Sequence, residues 1–274
     1  MRCEWRKLTA LLLLLMSLDV SAEDNFGTWA ELGIQKELSP YWDLGGEFEY
    51  RSQEKDRFGI GVGVGYNPSK YFKLGASYNF LYSHKPEKMN KMEYDEDELV
   101  GYRITQGYWT PRHRAGFNAT GTVKLWKWLR ISLRERYQFT YRPEQTIDRT
   151  DFEISESFTP EGSYTERYET PNPKTRESLS THFLRSRLKL AYDRKKAHLC
   201  PFVSCELYNN LGGGEEFNLE KLRASIGADY KITSHHSVTV AYLLNWYIQD
   251  DAAHHFESLH KRLHVMNIGY NFKF

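Results

Sequence analysis

Phe72-Lys73-Leu74-Gly75-Ala76-Ser77-Tyr78-Asn79-Phe80-Leu81-Tyr82 decides the fold. Phe72, Leu74, Ala76, Tyr78, Phe80 and Tyr82 alternate with Lys73, Gly75, Ser77 and Asn79. This is the 180° periodicity of a strand with one apolar and one polar face. Just upstream, Phe58, Ile60, Val62, Val64 and Tyr66 alternate with Gly59, Gly61, Gly63 and Gly65. The same alternation returns at 222–230, 238–248 and 266–274, and little in the chain has a helical period.

Eleven such segments run along the chain, at about 28–38, 42–51, 57–66, 71–82, 112–123, 128–142, 181–192, 198–209, 219–232, 237–249 and 262–274. Short turns such as Ser39-Pro40-Tyr41 and Asn67-Pro68-Ser69-Lys70 alternate with longer polar connections, the largest at 83–111 and 143–180. Short turns at one end and long loops at the other are the pattern of an outer-membrane barrel. In lipid no free N–H or C=O finds a partner, so only helices and closed barrels span. A soluble sandwich would give the same alternation, and three features tell against it. Aromatic residues collect at strand ends: Tyr41, Trp42, Tyr66, Trp126, Trp128, Tyr192 and Tyr230 at the short-turn end, Tyr50, Phe58, Tyr82, Tyr141 and Trp246 at the other. The polar faces carry charges of both signs that a soluble core would not bury. The last strand ends on Phe274.

The expected fold is therefore an all-β, antiparallel up-and-down transmembrane barrel. Bacterial barrels have even strand numbers. Eleven segments then imply about twelve strands, with ten as the alternative. The twelfth would hide in 94–111, around Val100-Gly101-Tyr102-Arg103-Ile104, and ten would exclude 28–38.

The 274 residues divide into a signal and one domain. Arg2, Arg6 and Lys7 precede an apolar run from Leu8 to Leu18, and Val20-Ser21-Ala22 resembles a cleavage site. Residues 1–22 are the expected signal peptide and 23–274 the expected barrel. Mean hydropathy is −0.66, and past residue 22 no apolar run reaches the length of a spanning helix. The formal net charge is +1, which excludes a generally basic nucleic-acid binder. Cys200 and Cys205 remain after Cys3 leaves with the signal. On an extended segment they lie roughly 16 Å apart on opposite faces, beyond the reach of a disulfide.

An export signal precedes Phe26-Gly27-Thr28-Trp29. Later come Lys73-Leu74-Gly75-Ala76-Ser77-Tyr78, Pro111-Arg112-His113-Arg114, Leu133-Arg134-Glu135-Arg136, Leu184-Arg185-Ser186-Arg187-Leu188 and the closing Gly269-Tyr270-Asn271-Phe272-Lys273-Phe274. In this order the motifs resemble domain-of-unknown-function family 2490, uncharacterised outer-membrane β-barrel proteins of Gram-negative bacteria. The resemblance spans nearly the whole mature chain. It implies a fold and the cell outer membrane as location, and no site.

Among the residues that carry chemistry, Gly59 to Gly65 is not a phosphate loop, because its spacing is strictly two. It is expected to leave room in a narrow lumen. His235-His236-Ser237 is the nearest local match to the Ser–His pair of a lipid hydrolase or deacylase, with His182 near Ser180 as a second candidate. Neither has an acidic orienting partner nearby, so no enzyme is expected. His254, His255, His260 and His264 fall at or near the last loop. Four residues of strand span roughly 13 Å, too far for one metal ion, so neither metal nor cofactor is expected. Glu135 shares the lipid face of Leu129, Ile131 and Leu133, and is expected near the outer rim.

The lumenal charges are the most informative pattern. Arg112, Arg114, Arg130, Arg134, Arg136, Arg185 and Arg187 project from adjacent segments, and Glu31, Glu47 and Glu49 from the first two. On closure a basic wall would face an acidic one. Two readings stay open: a narrow, porin-like small-solute channel with a transverse field, or a closed structural or partner-binding barrel plugged by its own ion pairs. A lipid-modifying enzyme is a third. The loops are acidic: residues 143–177 hold nine Asp/Glu against four Lys/Arg. Alternation at 152–158 and 164–168 suggests a hairpin above the membrane. The expected partners are outer-membrane lipid and lipopolysaccharide, with the barrel-assembly machinery reading the C-terminal strand.

Overall fold

The computed structural model describes residues 26–52, 56–94, 98–159, 162–194, 197–212, 218–248 and 262–274. The expected signal at 1–22 lies outside them. In chain order the strands are β1 (Phe26–Glu37), β2 (Trp42–Ser52), β3 (Arg57–Ser69), β4 (Phe72–Lys85), β5 (Lys88–Tyr94), β6 (Glu98–Thr105), β7 (Tyr108–Leu125), β8 (Leu129–Arg142), β9 (Gln145–Ile147), β10 (Arg149–Thr159), β11 (Gly162–Pro171), β12 (Lys174–Arg176), β13 (Leu179–Tyr192), β14 (Leu199–Asn210), β15 (Asn218–Lys231), β16 (His236–Tyr247) and β17 (Arg262–Lys273).

A closed barrel runs β1-β2-β3-β4-β7-β8-β13-β14-β15-β16-β17 and back to β1. Each of the eleven periodic segments of the sequence is one of these strands. The expectation of twelve strands, or ten, is corrected to eleven. An odd count leaves the first and last strands running the same way. They close the barrel as a parallel pair, from Phe26↔His264 to Gln35↔Lys273. Parallel ladders are only slightly weaker per residue than antiparallel ones, so odd closure is affordable. The 100–104 stretch is a strand, β6, but it pairs with β5 and β10 outside the barrel.

The two long loops do not stay separate. β5–β6 from the first and β10–β11 from the second form one four-stranded sheet, β11-β10-β6-β5, and β9–β12 form a small ribbon. Arg103 locks the sheet across the β6–β10 seam, with Nε and Nη2 donating to the two Asp151 oxygens at 2.7 and 2.9 Å. Asn172 Nδ2 donates to Asp151 Oδ2 at 2.8 Å. These bonds, that from Arg103 above all, hold the Asp151 carboxyl down at about 2, below its ordinary 3.8.

The outward face carries the apolar side of the alternation. Ile60, Val62, Phe117, Leu133 and Ile226 are all exposed there. Aromatic groups bracket this band. Trp42–Tyr66, Trp126–Trp128 and Trp128–Tyr192 are in ring contact at the short-turn end. Tyr50–Phe58 and Tyr82–Trp109 are in contact at the loop end. The β7–β8 turn holds Trp126 at φ 55°, a strained conformation for a bulky residue.

The lumen is filled unevenly. β3 presents only glycine between Gly59 and Gly65, so its neighbours lean across it. A Cβ on Gly59 would sit 2.5 Å from Glu49 Cγ and 2.8 Å from Leu81 Cδ2. One on Gly65 would meet the Asp43 carboxylate at 2.6 Å. The empty strand thus lets Lys73 of β4 reach Asp43 of β2 at 2.7 Å, and Asn79 reach Glu47. β13, β14, β16, β17 and β1 together supply an apolar cluster of Trp29, Ala191, Phe202, Ala241, Leu243, Leu263 and Val265.

Candidate functional site in the lumen

Period two delivers every second residue of β7, β8, β13, β14 and β15 to the interior. The registers then stack them in rows. Arg136 lies opposite Arg185, which lies opposite Tyr208, which lies opposite Lys221. Two residues along β8, Arg134 lies opposite Arg187, then Glu206, then Arg223, then Asn245. Like charges directly opposite destabilise a ladder. Something must offset these pairs.

Glu206 is that element within the chain. Arg185 Nη2 and Arg134 Nη2 both donate to its Oε1, at 3.0 and 3.1 Å. Arg223 Nη1 lies 3.6 Å from Oε2, and the Tyr208 hydroxyl donates to Oε2 at 3.0 Å. The Glu206 side chain is 4% exposed, so these contacts form away from bulk water. Tyr208 also lies under the guanidinium of Arg185 and the ammonium of Lys221, at 4.4 and 3.8 Å from the ring centre. Trp29 sits between Arg51 and Arg223, at 3.9 and 4.7 Å. These cation–π contacts spread part of the excess charge over apolar walls.

The sequence-predicted charges fall into four groups. Glu49 pairs on its own wall with Arg51 and Arg57, at 2.7 and 3.4 Å. Glu31 accepts from Asn267, and Glu47 from Asn79. Arg134 and Arg185 converge on Glu206. Arg130 stands apart at the short-turn end, 3.7 Å from Asp193. Burial raises the Asp193 carboxyl, but the Lys124 hydrogen bond and the Arg130 charge outweigh it and leave it below the usual range. Arg112, Arg114, Arg136 and Arg187 have no ion pair among the described residues. The arginines stand on β7, β8 and β13, and Glu31, Glu47 and Glu49 on β1 and β2. The acids, however, are largely consumed locally, and the anion that organises the basic wall is Glu206, within it. Sequence reasoning missed Glu206, although its lumenal parity with Phe202 and Tyr208 was readable. Lys221 and Arg223 were missed as well.

The other sequence candidates are placed as follows. His236 Nδ1 meets the Tyr270 hydroxyl at 2.6 Å, and His182 Nδ1 meets that of Tyr137 at 2.7 Å. Both belong to a repeated outward motif in which a His bonds a Tyr diagonally on the next strand. Tyr78–His113 and Tyr242–His264 are further instances. His235 Nδ1 lies 2.8 Å from the Lys273 carbonyl. His254, His255 and His260 lie outside the described residues. Cys200 is buried and Cys205 exposed, and both are free. Glu135 sits in mid-strand, one step below the Tyr137–His182 pair, and accepts from Ser186 Oγ at 2.6 Å.

A closed interior rich in guanidinium, inside an apolar outer band, defines an outer-membrane-type β-barrel. The chain matches the family described as Protein of unknown function (DUF2490) over residues 26–257, and it belongs to that family. No curated protein matches the chain. Among solved structures, the translocator domain of autotransporter NalP from Neisseria meningitidis is similar at 13% identity. The match covers 76% of this chain and 69% of that one, with a TM-score of 0.44.

Proposed function

We propose that this protein spans the outer membrane of a Gram-negative cell and passes small anions through a narrow, arginine-lined lumen. The supporting observation is the surplus of inward guanidinium over carboxylate. Arg142 and Arg112 stand on the loop side, with Arg114, Arg136 and Arg187 further along their strands. A purely structural plug would pair its buried charges, because an unpaired buried ion is costly. An anion path has the opposite need, since fixed positive charge lowers the barrier for an anion and repels cations. The role is non-enzymatic in this reading. The signal peptide delivers the chain, and lipid and lipopolysaccharide surround the outer band.

The second reading is a closed structural or partner-binding barrel. It is favoured by the depth of burial inside the barrel, where Asn245, Leu81 and Val265 are all at most 1% exposed. Reversal potentials of the refolded protein in a planar bilayer under a salt gradient test the pair. An anion-selective current supports the channel, and electrical silence from folded protein supports the closed barrel.

A further inference from the structure

We propose that mid-lumen is a binding site for a multiply charged oxyanion of the phosphate class, with Glu206 as its internal competitor. The proposal deepens the anion-path reading above and rests on it for the route by which the ligand arrives.

The first argument is charge. Three arginines share Glu206, and Arg114, Arg136 and Arg187 close around them with no acid of their own. Arg114 lies within electrostatic range of Arg51, Glu49 and Arg185. Arg136 Cδ passes close to Gly116, which lies two residues from Arg114 on the same face of β7. One carboxylate cannot balance this set, and a monovalent ligand would leave most of the surplus.

The second argument is hydrogen bonding. The Nε atoms of Arg114, Arg134, Arg136, Arg185 and Arg187 are all buried and without an acceptor. Buried donors are normally satisfied, and here, as at the Nε atoms of Arg51, Arg57, Arg112 and Arg142, the described protein atoms supply no acceptor. A tetrahedral oxyanion offers several acceptor oxygens in directions that guanidinium forks match. Chloride offers charge without that geometry. Glu206 already accepts from Arg134 and Arg185 and ion-pairs with Arg223, as a carboxylate from the protein itself.

Competition sets the expected pattern. Phosphate entering the cluster takes donors from Glu206. Removing the Glu206 charge should tighten phosphate binding severalfold, and removing a free arginine should weaken it by about tenfold, the usual scale for a charged hydrogen bond. Arg187→Lys keeps the charge and loses the fork, so it should also weaken binding.

The experiment is calorimetric titration of inorganic phosphate into the protein refolded in detergent micelles, with chloride at equal ionic strength as reference. Folding of each variant is followed by its β-sheet circular dichroism. Saturable phosphate binding, weakened in Arg114→Gln, Arg136→Gln and Arg187→Lys, tightened in Glu206→Gln and unchanged in the turn variant Lys70→Gln, supports the site. Phosphate heats no different from chloride, or folded arginine variants that bind like the parent chain, overturn it. Glycerol phosphate in place of inorganic phosphate tells a phosphorylated solute from the free ion. The channel fails separately: a silent barrel that binds phosphate loses the path and keeps the site, and a conducting barrel indifferent to phosphate does the reverse.

Discussion

Arg185 and Glu206 meet at 3.0 Å across the β13–β14 ladder, although Arg185 is registered opposite Tyr208 and Glu206 opposite Arg187. The side chains lean diagonally so that one carboxylate serves two rows. This makes Glu206 the most sensitive single position in the lumen. In phosphate-free buffer, Glu206→Ala should destabilise the barrel by about 3–5 kcal/mol, the cost of breaking a buried pair and stranding its cations. Urea unfolding in micelles reads this directly. A loss within experimental error of zero would mean that water already screens the cluster.

The glycine strand gives a second prediction. Gly61 faces Asn79 and Glu47, and a Cβ there would collide with the Asn79 amide. Gly61→Val should cost about 1–3 kcal/mol by overpacking. Gly121, whose Cβ position is open, should accept alanine with little change. Equal effects at both positions would contradict the account of β3 as the emptied side of the lumen.

How far the sequence carries depends on which rule each residue obeys. Period two located every barrel strand, because the apolar face is continuous from Phe58 to Tyr66 and from Phe72 to Tyr82. Its count of eleven was also right; the expectation of twelve or ten came from the even-number rule of bacterial barrels, and parity says nothing of whether the first and last strands can close as a parallel pair. Val100 to Ile104 shows the same limit: the alternation is real, but its partners are β5 and β10. The lumen was less legible. On β16, Ala241 and Leu243 face inward while Val240 and Tyr242 face outward, so parity placed the strand but did not mark its inward apolar residues as part of a cluster. The arginines were legible from parity. Their organising carboxylate depended on register, which no single segment contains.

Glu135 offers a test of the outer wall. A carboxylate on a lipid-facing surface is destabilising. If β8 faces lipid there, Glu135→Leu should stabilise the barrel by about 1–2 kcal/mol in bilayers. Destabilisation in that experiment would place a protein contact, rather than lipid, against Glu135 and Ser186.

The loop sheet carries its own pH dependence. The Asp151 carboxyl is held at about 2 in the folded sheet against 3.8 ordinarily. A lowered folded value means that the stabilisation is present above about pH 4 and is lost as the pH falls towards 2. Amide exchange protection on β6 and β10 should therefore drop across that window, and Asp151→Asn should remove the drop. Protection that is flat from pH 4 to pH 2 in the parent chain would contradict the Arg103–Asp151 lock.

Ion selectivity of the refolded protein in a planar bilayer tests the central claim most directly. The account predicts small, discrete conductance steps, with a reversal potential under a salt gradient that marks anion preference, and a weaker preference in Arg114→Gln and Arg136→Gln. Cation preference, or silence from protein shown to be folded and inserted, would contradict it.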